Sequence, residues 1–262
     1  MNQTLAKVFT MTETTPKRAV VTGASSGIGA AAVRALRASG WDVVAVARRR
    51  EKLEALAAET GAEAIAADVT DDASVARLAE QVLAGGGVDA LINNAGGAFG
   101  LDPVASGSIN DWQRMYDVNV LGALRMTQAF LPSLRANGRG SVLLLTSTAA
   151  FTAYEGGAGY SAAKSGEELL ARTLRLEEAE HNVRVIEIAP GMVKTEEFSL
   201  NRVGDKEAAD KVYAGVEKPL TAEDVAEVIA FALNVPHHVN LDQVVLRPLA
   251  QAAQHKVIRT GQ

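Results

Sequence analysis

Residues 18–39 read as an apolar run, a glycine-rich loop and a helix in direct succession, and no other feature limits the fold as strongly. The run Arg18-Ala19-Val20-Val21-Thr22 has strand character, Gly23-Ala24-Ser25-Ser26-Gly27-Ile28-Gly29 follows, and residues 30–39 are alanine-rich with helical periodicity. A strand that turns through glycines into a helix leaves backbone N–H groups and the positive end of the helix dipole facing outward, an anion site suited to a pyrophosphate. Gly23 permits the tight turn, Gly27 the close approach of phosphate, and Gly29 the packing of helix on strand. Further strand-like runs follow at 42–47, 64–67, 90–93, 141–146, 183–189 and 244–246, alternating with amphipathic helical stretches. That rhythm predicts a single α/β domain with helices flanking a parallel sheet of seven strands.

A second signal is chemical. Tyr160 and Lys164 are four residues apart and share a helix face, so the ammonium sits beside the phenol and favours the phenolate. A tyrosine so placed serves as acid or base near neutral pH. Ser147, thirteen residues before Tyr160, closes the fifth strand-like run and can hydrogen-bond the same substrate oxygen.

Together these residues resemble the short-chain dehydrogenases and reductases. Thr22-Gly23-Ala24-Ser25-Ser26-Gly27-Ile28-Gly29 is similar to that family's coenzyme loop, and Asn93-Asn94-Ala95-Gly96 to its Asn-Asn-Ala-Gly motif after the fourth strand. Asn119, Ser147, Tyr160 and Lys164 match the catalytic tetrad, and Pro190-Gly191-Met192-Val193-Lys194-Thr195 the Pro-Gly segment after the sixth strand. The motifs stand in family order and cover roughly residues 17–250. The resemblance implies a doubly wound Rossmann-type domain. It also implies coenzyme contacts from Ser25, Ser26, Ile28, Val69, Asn94, Ala95, Gly96, Pro190, Gly191 and Val193 as well as from Tyr160, Lys164 and the loop glycines. Thr195 is expected to bond the nicotinamide carboxamide, and a homotetramer is implied.

With 262 residues, 48% of them hydrophobic, the chain can bury the core of one large domain. A formal net charge of −5, with no long basic run, disfavours a nucleic-acid surface and points to a small-molecule partner. The absence of cysteine excludes disulfides and thiolate ligands, and no apolar stretch is long enough to span a bilayer, so a cytoplasmic location is expected. Residues 1–16 are polar and aperiodic and read as a mobile extension, with Met11 a candidate start. His237 and His238 have no third ligand at metal spacing, and no metal is expected. Trp41 and Trp112 read as packing residues, and Gly85-Gly86-Gly87 as a helix end and turn.

Coenzyme choice should be written at the end of the second strand. A carboxylate there would favour NAD, but this chain reads Val46-Ala47-Arg48-Arg49-Arg50. Guanidinium groups suit a 2′-phosphate in charge and geometry, so NADP(H) is expected, with Arg48 the principal contact and Arg49 secondary. Asp68 resembles the position that contacts adenine and equally suits a cap on the next helix.

The implied reaction moves a hydride between the nicotinamide C4 and a carbonyl or secondary alcohol carbon. Tyr160 exchanges the proton, Ser147 steadies charge on the oxygen, and Lys164 lowers the phenol toward working pH. The resemblance adds that Lys164 holds the nicotinamide ribose. It also implies that a helix irregularity at Asn119 frees a carbonyl for a relay water. Within the family, Glu197-Phe198-Ser199 with Arg202, the run at 220–225, the run at 236–240 and Arg247-Pro248 resemble the NADP-dependent serine and 3-hydroxy acid dehydrogenases. Residues 196–215 read as a helix-poor substrate lid, Tyr154 as a lining of the substrate mouth, and Arg202 either as a partner for a substrate carboxylate or as a solvated lid residue. A general aldehyde or ketone reductase, and a non-catalytic NADP(H)-sensing protein, are the alternative readings.

Overall fold

The computed structural model describes residues 16–195, 197–198, 202 and 204–260. Residues 1–15 of the expected extension, and residues 196, 199–201 and 203 of the expected lid, lie outside the described residues.

Seven parallel strands form one sheet: β1 (Arg18–Thr22), β2 (Asp42–Ala47), β3 (Glu63–Ala66), β4 (Ala90–Asn93), β5 (Ser141–Leu145), β6 (Arg184–Pro190) and β7 (Gln243–Leu246). Their order is β3-β2-β1-β4-β5-β6-β7. Each lies within one residue of its expected start and end, because a central parallel strand is buried on both faces and so reads as a continuous apolar run. Successive side chains point to opposite faces, and the strands therefore feed two cores. Ala19 and Val21 pack with Leu36 of α1 (Gly27–Ala38), Leu53 of α2 (Arg50–Thr60) and Ile229 of α8 (Ala222–Asn234). Val20, between them, packs in the opposite core with Leu78 of α3 (Asp72–Ala84), Phe130 of α5 (Gly122–Ala136) and Leu174 of α6 (Ala158–Glu178).

The chain winds outward in one direction through β1, β2 and β3 and in the other through β4, β5 and β6, so strand order reverses between β1 and β4. Loops leaving the two strands there diverge and open a crevice at their C-terminal ends. The glycine loop and residues 94–96 form its walls. Asn94 ties them together, its Nδ2 donating to Thr22 O at 2.8 Å. Gly23 (φ 66°) and Gly27 (φ 52°) hold the left-handed conformation that a side chain would strain.

Two features depart from the sequence expectation, and a third was implied by the resemblance. The lid segment contains a helix, α7 (Lys206–Val212), where little helix was expected. An antiparallel hairpin, β8 (Gln251–Ala253) with β9 (Lys256–Val257), follows the sheet, its strands too short for alternation to register. The segment from Ile109 to Ala136 is interrupted: α4 (Ile109–Tyr116) passes through a π-helical turn, Asp117–Leu121, before α5. Among the described residues no helix is long and apolar enough to cross a membrane.

Candidate active site

A cleft of about 850 Å³ runs along the C-terminal ends of the strands, from Arg48 and Asp68 past the glycine loop to Ser147 and Tyr160. Every residue expected to touch coenzyme lines it, while Asn119 lies fully buried behind its wall.

Ser147 follows β5 in extended conformation and caps a short 3₁₀ turn, its Oγ accepting from Ala149 N at 3.1 Å. Its hydroxyl donates to Pro190 O at 3.5 Å and lies close enough to Tyr160 on α6 to favour the phenolate. Lys164, one turn further along α6, is buried; its Nζ donates to Leu145 O at 2.8 Å and to Glu167 Oε2 at 2.5 Å. The ammonium is 6.0 Å from the centre of the Tyr160 ring. Ser147, Tyr160 and Lys164 thus meet at one end of the cleft.

The electrostatic balance differs from the sequence expectation. Burial pushes the Tyr160 phenol above its ordinary value, and the opposing pull of Lys164 and Ser147 does not overcome it. Tyr154 and Glu167 add smaller effects in the same direction as burial. Burial works against the Lys164 ammonium as well, but Glu167 holds it above the usual lysine range. Glu167 itself is pushed by burial up to about 7, with Lys164 drawing it part of the way back. Part of the lysine's charge is therefore spent on a carboxylate that the sequence reading did not consider, although its spacing of three from Lys164 on one helix face was visible.

The helix irregularity expected at Asn119 is present as the π-helical turn. The Asn119 side chain clamps the wall opposite: Nδ2 donates to Met115 O at 2.7 Å and Gly97 O at 2.9 Å, and Oδ1 accepts from Gly97 N at 3.2 Å. Gly96 passes between Asn119 and Lys164. A Cβ there would stand 2.5 Å from Asn119 Oδ1 and 3.4 Å from Lys164 Nζ.

Toward the other end, donors converge on a carboxylate. Glu197 accepts from Ser26 Oγ at 2.8 Å, Arg49 Nη1 at 2.7 Å and Lys52 Nζ at 2.5 Å. Arg49 also donates to Ser25 Oγ through Nε at 3.1 Å and Nη2 at 2.8 Å. Burial opposes the Glu197 charge, but these donors hold its carboxyl down to about 2. The carboxylate sits in a cradle of hydroxyls and cations. Arg48, ranked first from sequence, lines the cleft beside Asp68, whereas Arg49 makes the contacts with the loop. Asp68 does not cap α3; Asp71 does, accepting from Ser74 N at 2.8 Å. Asp68 accepts instead from the Thr70 N–H at 3.0 Å and hydroxyl at 2.7 Å. Burial opposes its charge as well, yet these bonds and the nearby Arg48 and Arg125 keep it below the ordinary carboxylate range.

The mouth near Tyr160 is aromatic and cationic. The Arg202 guanidinium lies 5.4 Å from the Tyr154 ring centre and 5.7 Å from that of Tyr160, and Phe198 meets Tyr160 edge-on at 5.7 Å. Gln251, on the unforeseen hairpin, accepts from Met192 N at 2.8 Å and fixes the Pro-Gly segment. His237 lies away from the cleft, hydrogen-bonded to Asn182 O at 2.9 Å. Trp41 is buried in the core with Nε1 on Asn234 Oδ1 at 3.0 Å, while Trp112 stays partly exposed.

A family model described as short chain dehydrogenase matches residues 17–204. The chain belongs to that family. This short-chain dehydrogenase is 54% identical over 236 residues to an uncharacterised oxidoreductase of Mycobacterium tuberculosis, covering 90% of this chain and 92% of the relative. It is 40% identical over 237 residues to a serine 3-dehydrogenase of Agrobacterium fabrum, covering 89% and 94%. Among solved structures it is similar to the closed form of a serine dehydrogenase complexed with NADP+, with a TM-score of 0.86, 34% identity, and 92% and 99% of the two chains covered. It is an oxidoreductase with the seven-stranded sheet of its structural relatives. Sequence reasoning about this dehydrogenase gave no role to Glu197, Lys52 or Gln251, since contacts made across 59 to 171 residues leave no local pattern.

Proposed function

We propose that this dehydrogenase uses NADP(H) to interconvert a 3-hydroxy acid, or a serine-like substrate, with its carbonyl counterpart. One observation carries the reading: a phenol, a serine hydroxyl and a guanidinium gather at one end of a long cleft whose other end gathers hydroxyls and cations around the Glu197 carboxylate. The Glu197 carboxylate in its cradle supports the fit of a phosphorylated dinucleotide, and Arg48 supports a 2′-phosphate. When bound, the coenzyme supplies or accepts the hydride.

Tyr160 Oη gives a proton to the substrate oxygen in reduction and takes it in oxidation, while Ser147 Oγ hydrogen-bonds that oxygen and fixes its position. Lys164 Nζ steadies the phenolate and, with Gly96 leaving it room, would hold the nicotinamide ribose. Asn119 keeps the opposite wall in place. Arg202 pairs with a substrate carboxylate, which turns the reacting carbon toward Tyr160. Phe198 and Tyr154 keep water from the reacting centre.

The test follows NADPH absorbance during oxidation of serine and other 3-hydroxy acids and during reduction of uncharged aldehydes and ketones, with Tyr160→Phe as control. Tyr160→Phe should lose nearly all turnover. Arg202→Ala should raise KM for the hydroxy acids by about tenfold, the effect of removing one charge-assisted bond, and leave uncharged carbonyls unaffected. Equal effects on both substrate classes would point instead to a general carbonyl reductase.

A further inference from the structure

Among the described buried ionisable groups that the proposed chemistry leaves without a task, Glu167 alone adjoins Lys164. Tyr160, Lys164 and Glu167 occupy positions i, i+4 and i+7 of α6 and lie along one face of it. The lysine and glutamate side chains are 4% and 1% exposed, and their charged ends are 2.5 Å apart. Only one carboxylate oxygen is engaged: Oε2 takes the ammonium, while Oε1 is buried with no hydrogen-bond partner. The next carboxylate inward, Glu187 on β6, gives no help, since its oxygens already accept from Thr146 Oγ1 at 2.6 Å and Gln243 Nε2 at 2.9 Å.

A half-satisfied buried carboxylate costs desolvation, and a buried ion pair as a whole is often replaceable by apolar residues without loss of stability. The presence of Glu167 next to the lysine that serves Tyr160 is therefore a local rule broken at a functional position. We propose that Glu167 is a positioning residue that acts through Lys164 to set how readily Tyr160 gives up its proton. The proposal rests on the catalytic reading of Tyr160 given above.

The electrostatics follow from the geometry. With Glu167 ionised, the phenol faces a nearly neutral ion pair and ionises reluctantly. With Glu167 protonated, it faces an uncompensated ammonium and ionises more easily. Because burial brings Glu167 to about 7, that exchange falls near neutrality. As the pH drops and the phenolate becomes harder to form, Glu167 takes up a proton and restores the lysine's pull. The other ionisable groups that bear on the cluster are Glu187 from β6, which raises Glu167, Tyr154, which raises Tyr160, and Arg202 over the Tyr160 ring.

The test compares wild type, Glu167→Gln and Glu167→Asp in two ways: the pH profile of kcat/KM for alcohol oxidation, and ultraviolet titration of the phenolate with Tyr160→Phe as blank. Glu167→Gln should move the acid limb and the phenolate titration down by roughly one pH unit, the scale of a buried charge at this range. Glu167→Asp, which keeps the charge, should stay near wild type. Profiles that superimpose for Gln and wild type, or an equal loss at all pH for Gln and Asp, would overturn the proposal. Should Glu167→Gln fail to fold, Glu167→Leu removes the charge and retains packing. If Tyr160→Phe keeps its turnover, the catalytic reading fails instead, and the phenolate titration still decides whether Glu167 governs the phenol.

Discussion

Arg49 and Glu197 lie 148 residues apart in the chain and meet at 2.7 Å across the cleft. The contact joins the end of β2 to the segment after β6, with Ser26 and Lys52 completing the cradle. A carboxylate from the protein itself therefore holds the donors proposed for a coenzyme phosphate. Glu197→Gln removes that competitor and leaves both cations uncompensated. Exposed ion pairs are worth about 0.2–1 kcal/mol, so NADPH should bind roughly two- to fivefold more tightly to Glu197→Gln, as measured by quenching of protein fluorescence. Unchanged or weaker binding would mean that the clasp assists the coenzyme rather than opposing it.

The same contact has a defined pH range. Glu197 is held down to about 2, below its unfolded value near 4.5, so its folded-state bonds stabilise the protein fully above that unfolded value. The contribution is lost as pH falls toward 2, where the folded carboxyl takes up its proton. Acid unfolding of wild type and Glu197→Gln should therefore differ above about pH 4.5 and converge toward pH 2. A constant difference throughout the acid range would show that Glu197 stabilises by packing alone.

The sheet was legible because its inner strands are buried on both faces and its turns are marked by glycine: β2 and β4 fall on the residues the apolar runs had indicated. Ser147, Tyr160 and Lys164 were legible because their relation is set by one helix and one adjoining strand end. The hairpin at 251–257, the cradle around Glu197 and the burial of Glu167 were not. Each depends on chain segments that only tertiary structure brings together, and burial, not residue type, decides the electrostatic outcome. Tyr160 shows the difference most clearly. Its neighbour at 164 was readable, but the desolvation that outweighs that neighbour was not.

Gly96 tests how tightly the cleft wall is built. Gly96→Ala would place a methyl group 2.5 Å from Asn119 Oδ1, too close for any contact, and 3.4 Å from the lysine nitrogen. The Asn119 side chain has no freedom to yield, since its bonds to Met115 O and Gly97 O fix it in the π-helical turn. Overpacking of this kind costs about 1–3 kcal/mol, so the variant should melt several degrees lower. Its turnover should fall by more than stability alone explains, because the displaced groups face Lys164. Normal turnover in a folded Gly96→Ala would show that the wall relaxes away from the lysine.

Arg48 and Arg49 separate two ways of recognising a phosphate. Arg49 is bound to Ser25, Ser26 and Glu197, and is committed to the loop. Arg48 lines the same end of the cleft with Asp68 as its nearby charge, which places a free fork where the ribose of a coenzyme would rest. Arg48→Asp exchanges an attraction for a repulsion at the 2′-phosphate and supplies an acceptor for a 2′-hydroxyl. Loss of one charge-assisted bond, together with the new repulsion, amounts to about 2–3 kcal/mol, so NADPH should weaken by roughly 30- to 150-fold while NADH holds or improves. Arg49→Ala should weaken both coenzymes alike, because it disturbs the loop that both share. Titrating the two coenzymes against both variants reads the assignment directly. Equal losses of NADPH and NADH in Arg48→Asp would remove Arg48 from the 2′-phosphate and leave Arg49, freed from Glu197, to take its place.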